Sequence, residues 1–194
     1  MTVEGAVRAQ VMIGDSEPLP VVFVTLGTMH YPFERLMGWL DGWLRDRAGQ
    51  ARMVIQYGAS TVPAAAEGFQ MCGQEELLGL IRRSDIVVTQ GGPGGIMDSR
   101  NCGIRPIAVP RLPELGEVVD DHQVRFCRYL AREGLIELAA TQEELRAALD
   151  RAVADPQSSR VPIESGQVEA AIERTGELIE DLVRRRPPRR RRRR

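Results

Sequence analysis

The chain contains no lysine, and all 26 of its basic residues are arginine. No Gly-Lys-Ser/Thr triplet therefore exists, which removes P-loop phosphate binding from consideration. Cysteine is scarce as well. Cys72, Cys102 and Cys127 are odd in number and widely spaced, without a CxxC pair, and only two histidines are present as co-ligands. That set argues against a disulfide framework or a zinc centre and for reduced thiols in a cytosolic compartment. No run approaches the roughly 18 consecutive apolar residues of a membrane span, and no cationic segment leads into an apolar one at the N-terminus. The expectation is a chain that neither spans a membrane nor is secreted.

What is present fits one ordinary domain: 194 residues with 43% hydrophobic content bury an adequate core, and two full domains would be a squeeze. The formal net charge of -1 conceals an uneven distribution, because nine arginines lie between Arg184 and Arg194. Without them 17 Arg face 27 Asp and Glu, a body near -10. This is an acidic domain with a cationic appendix, and the two are read separately.

Residues 1–20 show no sustained periodicity and read as a disordered leader. The continuous β-branched run Val21-Val22-Phe23-Val24-Thr25-Leu26 predicts a strand buried on both faces, ending at Gly27-Thr28. Phe33, Leu36, Met37, Leu40, Trp43 and Leu44 recur at helical spacing and predict a helix with one broad apolar stripe. Further strands are expected at Met53 to Gly58, Asp85 to Thr89, Pro106 to Val109 and Ile136 to Leu138. Helices are expected over Glu75 to Arg83, Ile96 to Cys102 and Asp121 to Glu133, with another opened by Thr141 and Glu144 as a capping box. Strands alternating with helices imply βαβ units around a parallel sheet, with ligands at the carboxyl ends of the strands. Residues 21–155 form this domain; residues 156–183 carry a linker and an amphipathic helix from Gly166, whose stripe packs on its own domain or docks to another subunit.

Between strand and helix lies Gln90-Gly91-Gly92-Pro93-Gly94-Gly95. Glycine lets a ligand approach main-chain N–H groups, and a helix start adds unpaired donors with partial positive charge, so the turn suits an anion. It also suits a tight connection with no ligand. Asp98, placed on the first turn of the helix, is suited to ribose hydroxyls or to ordinary dipole compensation. The glycine spacing is not that of a GxGxxG dinucleotide site. Downstream, Asp120-Asp121-His122-Gln123 opens the next helix; Asp121 is a candidate N-cap, while the Gln123 amide can both donate to and accept from sugar hydroxyls.

The stretch from Asp85 to Gly134, with Gln90 to Asp98, Ile107-Ala108-Val109-Pro110-Arg111 and Asp120 to Gln123, resembles the C-terminal domain of glycosyltransferase family 28, as does the opening Val22 to Thr28. The resemblance implies an α/β, Rossmann-like parallel sheet flanked by helices, the C-terminal half of a GT-B enzyme that binds a UDP-sugar. By motif position it places Gly92, Gly94 and Gly95 at the diphosphate and Asp98 at the ribose. It places Gln123, with Asp121 and His122, at the donor sugar, and Gly27 and Thr28 on the phosphate side of the cleft. Many relatives carry His for Gln90, Ser or Thr for Gly95, and Glu for Asp98.

A complete GT-B enzyme has two such domains, so the resemblance implies a half-site completed by a membrane-anchored, acceptor-binding partner. The expected reaction is inverting sugar transfer to a polyprenyl-diphosphate-linked acceptor in exopolysaccharide or cell-surface glycan synthesis, without a metal or other cofactor. The general base is expected in the partner, with His30 the best internal candidate. Arg184 to Arg194 suits an anionic membrane surface better than nucleic acid, placing the protein at the cytoplasmic face of the cell membrane. The alternative is a non-catalytic nucleotide-binding regulatory subunit.

Overall fold

The computed structural model describes residues 19–163; residues 1–18 of the expected leader, the helix expected from Gly166 and the arginine tail lie outside the described residues. Strands β1 (Val21–Thr25), β2 (Arg52–Gln56), β3 (Glu67–Phe69), β4 (Ile86–Gln90), β5 (Ile107–Val109) and β6 (Glu137–Leu138) form one sheet in the order β3-β2-β1-β4-β5-β6. Every pairing is parallel. Helices α1 (Glu34–Asp46), α2 (Gln74–Arg83), α3 (Pro93–Asn101), α4 (His122–Arg132) and α5 (Gln142–Ala154) are the α-helices among the described residues. The α/β architecture expected from alternating periodicities is the one observed.

A parallel sheet covered on both faces needs apolar side chains in both directions, and successive strand residues supply them. Val22, Val24, Met53, Ile55, Ile86, Val88, Ile107 and Val109 point to the layer containing α1 and α5. Phe23, Val54 and Val87 point the other way, onto Leu80 and Ile81 of α2. Ala108 meets Ile96 of α3 and Cys127 and Leu130 of α4 on that second side. All six residues of the expected α1 stripe are buried. Each large apolar side chain so enclosed contributes about 1.5–3 kcal/mol. Trp43 in that stripe donates its indole N–H to Asp150 of α5 at 2.9 Å, and Arg47 grips the same carboxylate through Nε and Nη2, pinning α1 to α5.

Strand β3 was not among the expected strands. Phe69 is its only buried residue, stacked on Phe23 with ring centroids 6.5 Å apart, and three residues are too few to display a period. Past α5 the chain continues through a short 3-10 turn, Pro156–Ser159, to an antiparallel bridge between Arg160 and Ile104. All three thiols are free; burial pushes the Cys127 thiol up to about 11, and Cys72 and Cys102 are raised by the same cause.

The capping box stands as read: Thr141 Oγ1 accepts from the Glu144 N–H at 3.2 Å, and Glu144 Oε2 accepts from the Thr141 N–H at 3.2 Å. Thr141→Ala is expected to destabilise the domain by about 1 kcal/mol, a fall in Tm of roughly 2–4 °C for a domain of this size. Thermal denaturation followed by far-UV circular dichroism measures it; an unchanged Tm would mean that α5 is held by its packing alone.

Candidate functional site

The sheet reverses its direction of growth between β1 and β4: β2 and β3 lie beyond β1, β5 and β6 beyond β4. The loops leaving these two central strands diverge, and the crevice between them at the carboxyl ends is where such folds place ligands. The strand ends there are polar although buried: Thr25, Gln56, Thr89 and Gln90 are all under 9% exposed. Thr25 Oγ1 donates to Gln56 Oε1 at 2.6 Å, and Gln56 Nε2 donates to the Gly27 carbonyl at 3.2 Å, fixing the first loop. Gly27 has φ +69°, a conformation strained for any other residue, and a Cβ on it would lie 2.3 Å from Gln90 Nε2, so a side chain there would also displace that amide.

The glycine turn is shorter than expected. Helix α3 begins at Pro93 rather than Ile96, with Gly92 as N-cap residue and no side-chain cap. Proline suits the first helical position because its φ is preset and its missing N–H would have no partner there. Gly94 and Gly95 thus belong to the first helical turn, where their N–H groups have no intrahelical acceptor. Glycine disfavours helix by about 1 kcal/mol relative to alanine, which is why the pattern alone suggests a longer turn. Packing overrides it: Ile96 is fully buried, and Ser99 Oγ donates to the Gly95 carbonyl at 2.6 Å. Asp98 is correspondingly on the second turn, not the first, where Gln74 Nε2 donates to it at 3.1 Å.

Gly95 faces Thr89. A Cβ on Gly95 would lie 2.3 Å from Thr89 Oγ1, and that hydroxyl is buried without a hydrogen-bond partner. The hydroxyl therefore occupies the space that a Ser or Thr side chain at position 95 would need.

The second constellation divides. Gln123 turns inward: its Oε1 accepts from the Arg111 main-chain N–H at 3.1 Å, and its Cβ lies 3.1 Å from where a Cβ on Gly91 would be. Asp120, Asp121 and His122 are exposed. Asp121 holds the N-cap position of α4 but makes no side-chain cap; its carboxylate pairs instead with Arg125 at 2.9 Å. Asp120 accepts from the His122 main-chain N–H and meets its Nδ1 at 2.6 Å, contacts that hold the Asp120 carboxyl below the usual carboxylate range. Thr28 and His30 are also exposed; the His30 ring lies 4.3 Å from that of Tyr31, with no hydrogen-bond partner among the described residues to orient it. The structure therefore brings Gly27, Gly92, Gly94, Gly95 and Gln123 around one crevice and leaves Asp98 one turn along α3. No group of three or more His, Cys, Asp or Glu able to hold a metal occurs among the described residues.

Sequence reasoning did not single out Arg111, Glu117 and Arg35. Arg111 is 1% exposed, donating from Nε to Gln90 Oε1 at 2.6 Å and from Nη1 to the carbonyls of Tyr31, Pro32 and Glu117. Its guanidinium carbon lies 4.5 Å from the Phe33 ring centroid. Burial lowers its pKa to about 10, against the opposing pull of Glu117, so it stays charged at neutral pH. Arg35 grips Glu117 through both carboxylate oxygens at 2.9 and 2.8 Å, and Glu117 Oε2 also accepts from the Leu112 N–H. The segment 110–117, which reads as a loop, is thereby locked onto α1 and the loop after β1. An arginine between two prolines at the end of a buried strand was the available signal.

Gly95→Ala is expected to destabilise the protein by about 1–2 kcal/mol, a clash of about 1–3 partly offset by alanine's better helix propensity. In the Thr89→Ala background the same change should become neutral or stabilising, since the remaining neighbours stand at 3.4 Å or more. A double-mutant cycle by urea denaturation measures the coupling; additive effects would refute steric exclusion between the two positions.

With this geometry in place, comparison with known proteins gives one consistent answer. The model of the glycosyltransferase family 28 C-terminal domain matches residues 21–175. No curated protein matches. Among solved structures, the calicheamicin glycosyltransferase CalG4 is similar at TM-score 0.56 and 16% identity, over 89% of this chain and 44% of that one. MurG of Acinetobacter baumannii is similar at 0.52 and 19%, over 75% and 44% respectively. ALG13 is similar at 0.51 and 17%, over 78% of this chain and 92% of that one. At these identities the structures speak for the fold. The chain spans under half of CalG4 and of MurG and nearly all of ALG13. By its sequence and fold, the chain belongs to the glycosyltransferase family 28 C-terminal domain family.

Proposed function

We propose that this chain is the UDP-sugar-binding subunit of an inverting hexosyltransferase. It acts on a polyprenyl-diphosphate-linked acceptor in exopolysaccharide or cell-surface glycan synthesis, together with a membrane-anchored partner. The observation that carries the reading is the uncapped start of α3 at the sheet's reversal point, with two first-turn glycines and an orphaned buried hydroxyl beside them. A cradle of main-chain donors without a side-chain cap suits a diphosphate. Gly92, Gly94 and Gly95 meet it there, with Gly27 and Thr28 across the crevice. Asp98, oriented by Gln74, takes the ribose hydroxyls, and Gln123 the donor sugar, with Asp121 and His122 at its rim.

In the proposed reaction an acceptor hydroxyl oxygen attacks the anomeric carbon while the bond to the β-phosphate oxygen breaks. The leaving UDP carries the electron pair, and the hydroxyl proton passes to a base. Charge growing on the diphosphate meets N–H groups already oriented toward it, so this chemistry is written without a metal or other cofactor. The base belongs to the partner; His30, exposed and without an orienting partner, is a weak internal candidate. One observation favours a partner: the similarity to ALG13, over 78% of this chain and 92% of that one. No described helix is long and apolar enough to cross a membrane. We assign docking to the apolar stripe spaced along the sequence from Gly166 and membrane attraction to Arg184 to Arg194, which suits a protein at the cytoplasmic face of the cell membrane.

Coexpression with a membrane protein encoded beside it, followed by transfer of radiolabelled UDP-sugar to a polyprenyl-linked acceptor, tests this directly. Transfer is expected only when both chains are present; a pair that forms yet neither binds UDP nor transfers sugar would sink the reading. Binding of UDP without transfer by the intact pair would instead support the regulatory alternative. Asp98→Ala should weaken UDP binding by about tenfold, the loss of one charge-assisted hydrogen bond, measured by calorimetry of the full chain. An affinity within twofold of wild type would remove Asp98 from the ribose site.

A further inference from the structure

Arg111 is the only arginine among the described residues with a fully buried side chain, and no step of the proposed reaction uses it. Its place is over-determined by three carbonyl acceptors on Nη1 and the Phe33 ring. The remaining contact, from Nε to Gln90, is the informative one. An arginine N–H can only donate, so the Gln90 atom facing it at 2.6 Å must be the amide oxygen. The NH2 group is consequently turned away from Arg111. It lies 2.3 Å from the Cβ position of Gly27 and 3.5 Å from that of Gly92, between the loops leaving β1 and β4. Gln90 is 8% exposed, and its Nε2 has no acceptor among the described residues. Thr89 Oγ1 is the one enclosed, unpaired side-chain polar atom among the described residues, so the Gln90 NH2 is not sealed off but opens onto the crevice, where an anion can accept from it. The Arg111 main-chain N–H fixes Gln123 by the same logic, taking its oxygen and leaving its NH2 outward.

We propose that Arg111 is a positioning residue that locks the Gln90 amide with its NH2 group aimed at the diphosphate held by the start of α3. Gln90 is thereby a diphosphate-binding residue, and the assignment rests on the nucleotide-sugar reading above. The lock needs the arginine fork: a lysine has no Nε–H fixed in a plane, so Gln90 would be free to turn its oxygen toward the anion. The Glu117 carboxylate pairs with Arg35, while Arg111 reaches only the Glu117 main-chain carbonyl, so two guanidiniums and one carboxylate leave the cluster behind the amide with one net positive charge at the foot of the crevice. That sign also favours an anion.

The alternative is that Gln90 merely satisfies Arg111, a structural task that a carboxylate performs at least as well. Calorimetric titration of the full chain with UDP and with uridine, alongside Tm, separates the two. In Gln90→Glu the acceptor for Arg111 is kept, while the donor is lost and a negative charge appears. Its Tm should stay within a few degrees of wild type or rise, while UDP affinity falls by about 100-fold or more, a charged-group hydrogen bond plus repulsion. Gln90→Met removes the donor without adding charge and should lose about tenfold. Arg111→Lys, with Gln90 intact but unlocked, should also lose UDP affinity by several-fold. In each variant uridine binding should change by less than about twofold, because general damage to the site would weaken both ligands together. UDP affinities within twofold of wild type in both Gln90 variants, or equal losses for UDP and uridine, would overturn the assignment while leaving the nucleotide-sugar reading intact. A wild-type chain that binds no UDP would overturn both.

Discussion

Parallel pairing of β1 with β4 at the centre of the sheet is the constraint from which the rest follows. Two parallel strands side by side, continued by neighbours on opposite sides, send their outgoing chains apart and leave a gap at their carboxyl ends. Their residues must be apolar along most of their length because both faces are covered. Only at the carboxyl ends does the pattern break, with Thr25 beside Thr89 and Gln56 and Gln90 flanking them. Buried polar groups there contribute less to the core than Val or Ile would, and one is left without a partner. A local breach of the packing rule at a single edge is the signature of a site rather than of a poor core.

Around that gap the protein uses few mobile donors. The main chain at the start of α3, the Gly27 loop and two glutamine amides line it, and each is held by a contact behind it. Arg35, Glu117 and Arg111 hold the segment after β5, so a stretch without regular structure is as constrained as a helix. The arginines do this well because a planar fork satisfies several acceptors from one buried position. The absence of lysine from the chain thus matches the one interior place where a lysine would not serve.

Much of this was legible beforehand, for physical reasons that differ by element. The α1 stripe and β1 were readable because burial of one face, or of both, imposes a period or a run on the residue types. The capping box was readable because its chemistry is local, spanning three residues. The start of α3 was not, since glycine's low helix propensity hides a first turn that Ile96 and Ser99 hold from below. Displacing that start by three residues moved Asp98 to the second turn. Of Asp121, His122 and Gln123, the sequence offered no way to tell which faces inward; the answer depends on Arg111, twelve residues before Gln123 and set by contacts about 80 residues distant. Strand β3 depends on one aromatic stacked on another strand, and so leaves no periodic trace.

Thr89 and Gly95 sit on different elements, one on the strand and one on the helix, yet they share a single volume. In evolutionary terms they form one locus with two addresses. A lineage in which position 95 gains a side chain must first, or at the same step, give up the hydroxyl at position 89. The intermediate that carries both is strained, at a cost of about 1–3 kcal/mol for the overpacking, and the one that carries neither leaves a small void under the helix start. Which element bears the hydroxyl is therefore an inherited choice that single substitutions cannot readily reverse. Among proteins with this crevice, the next-to-last residue of the fourth strand should report the identity of the residue it faces in the helix that follows.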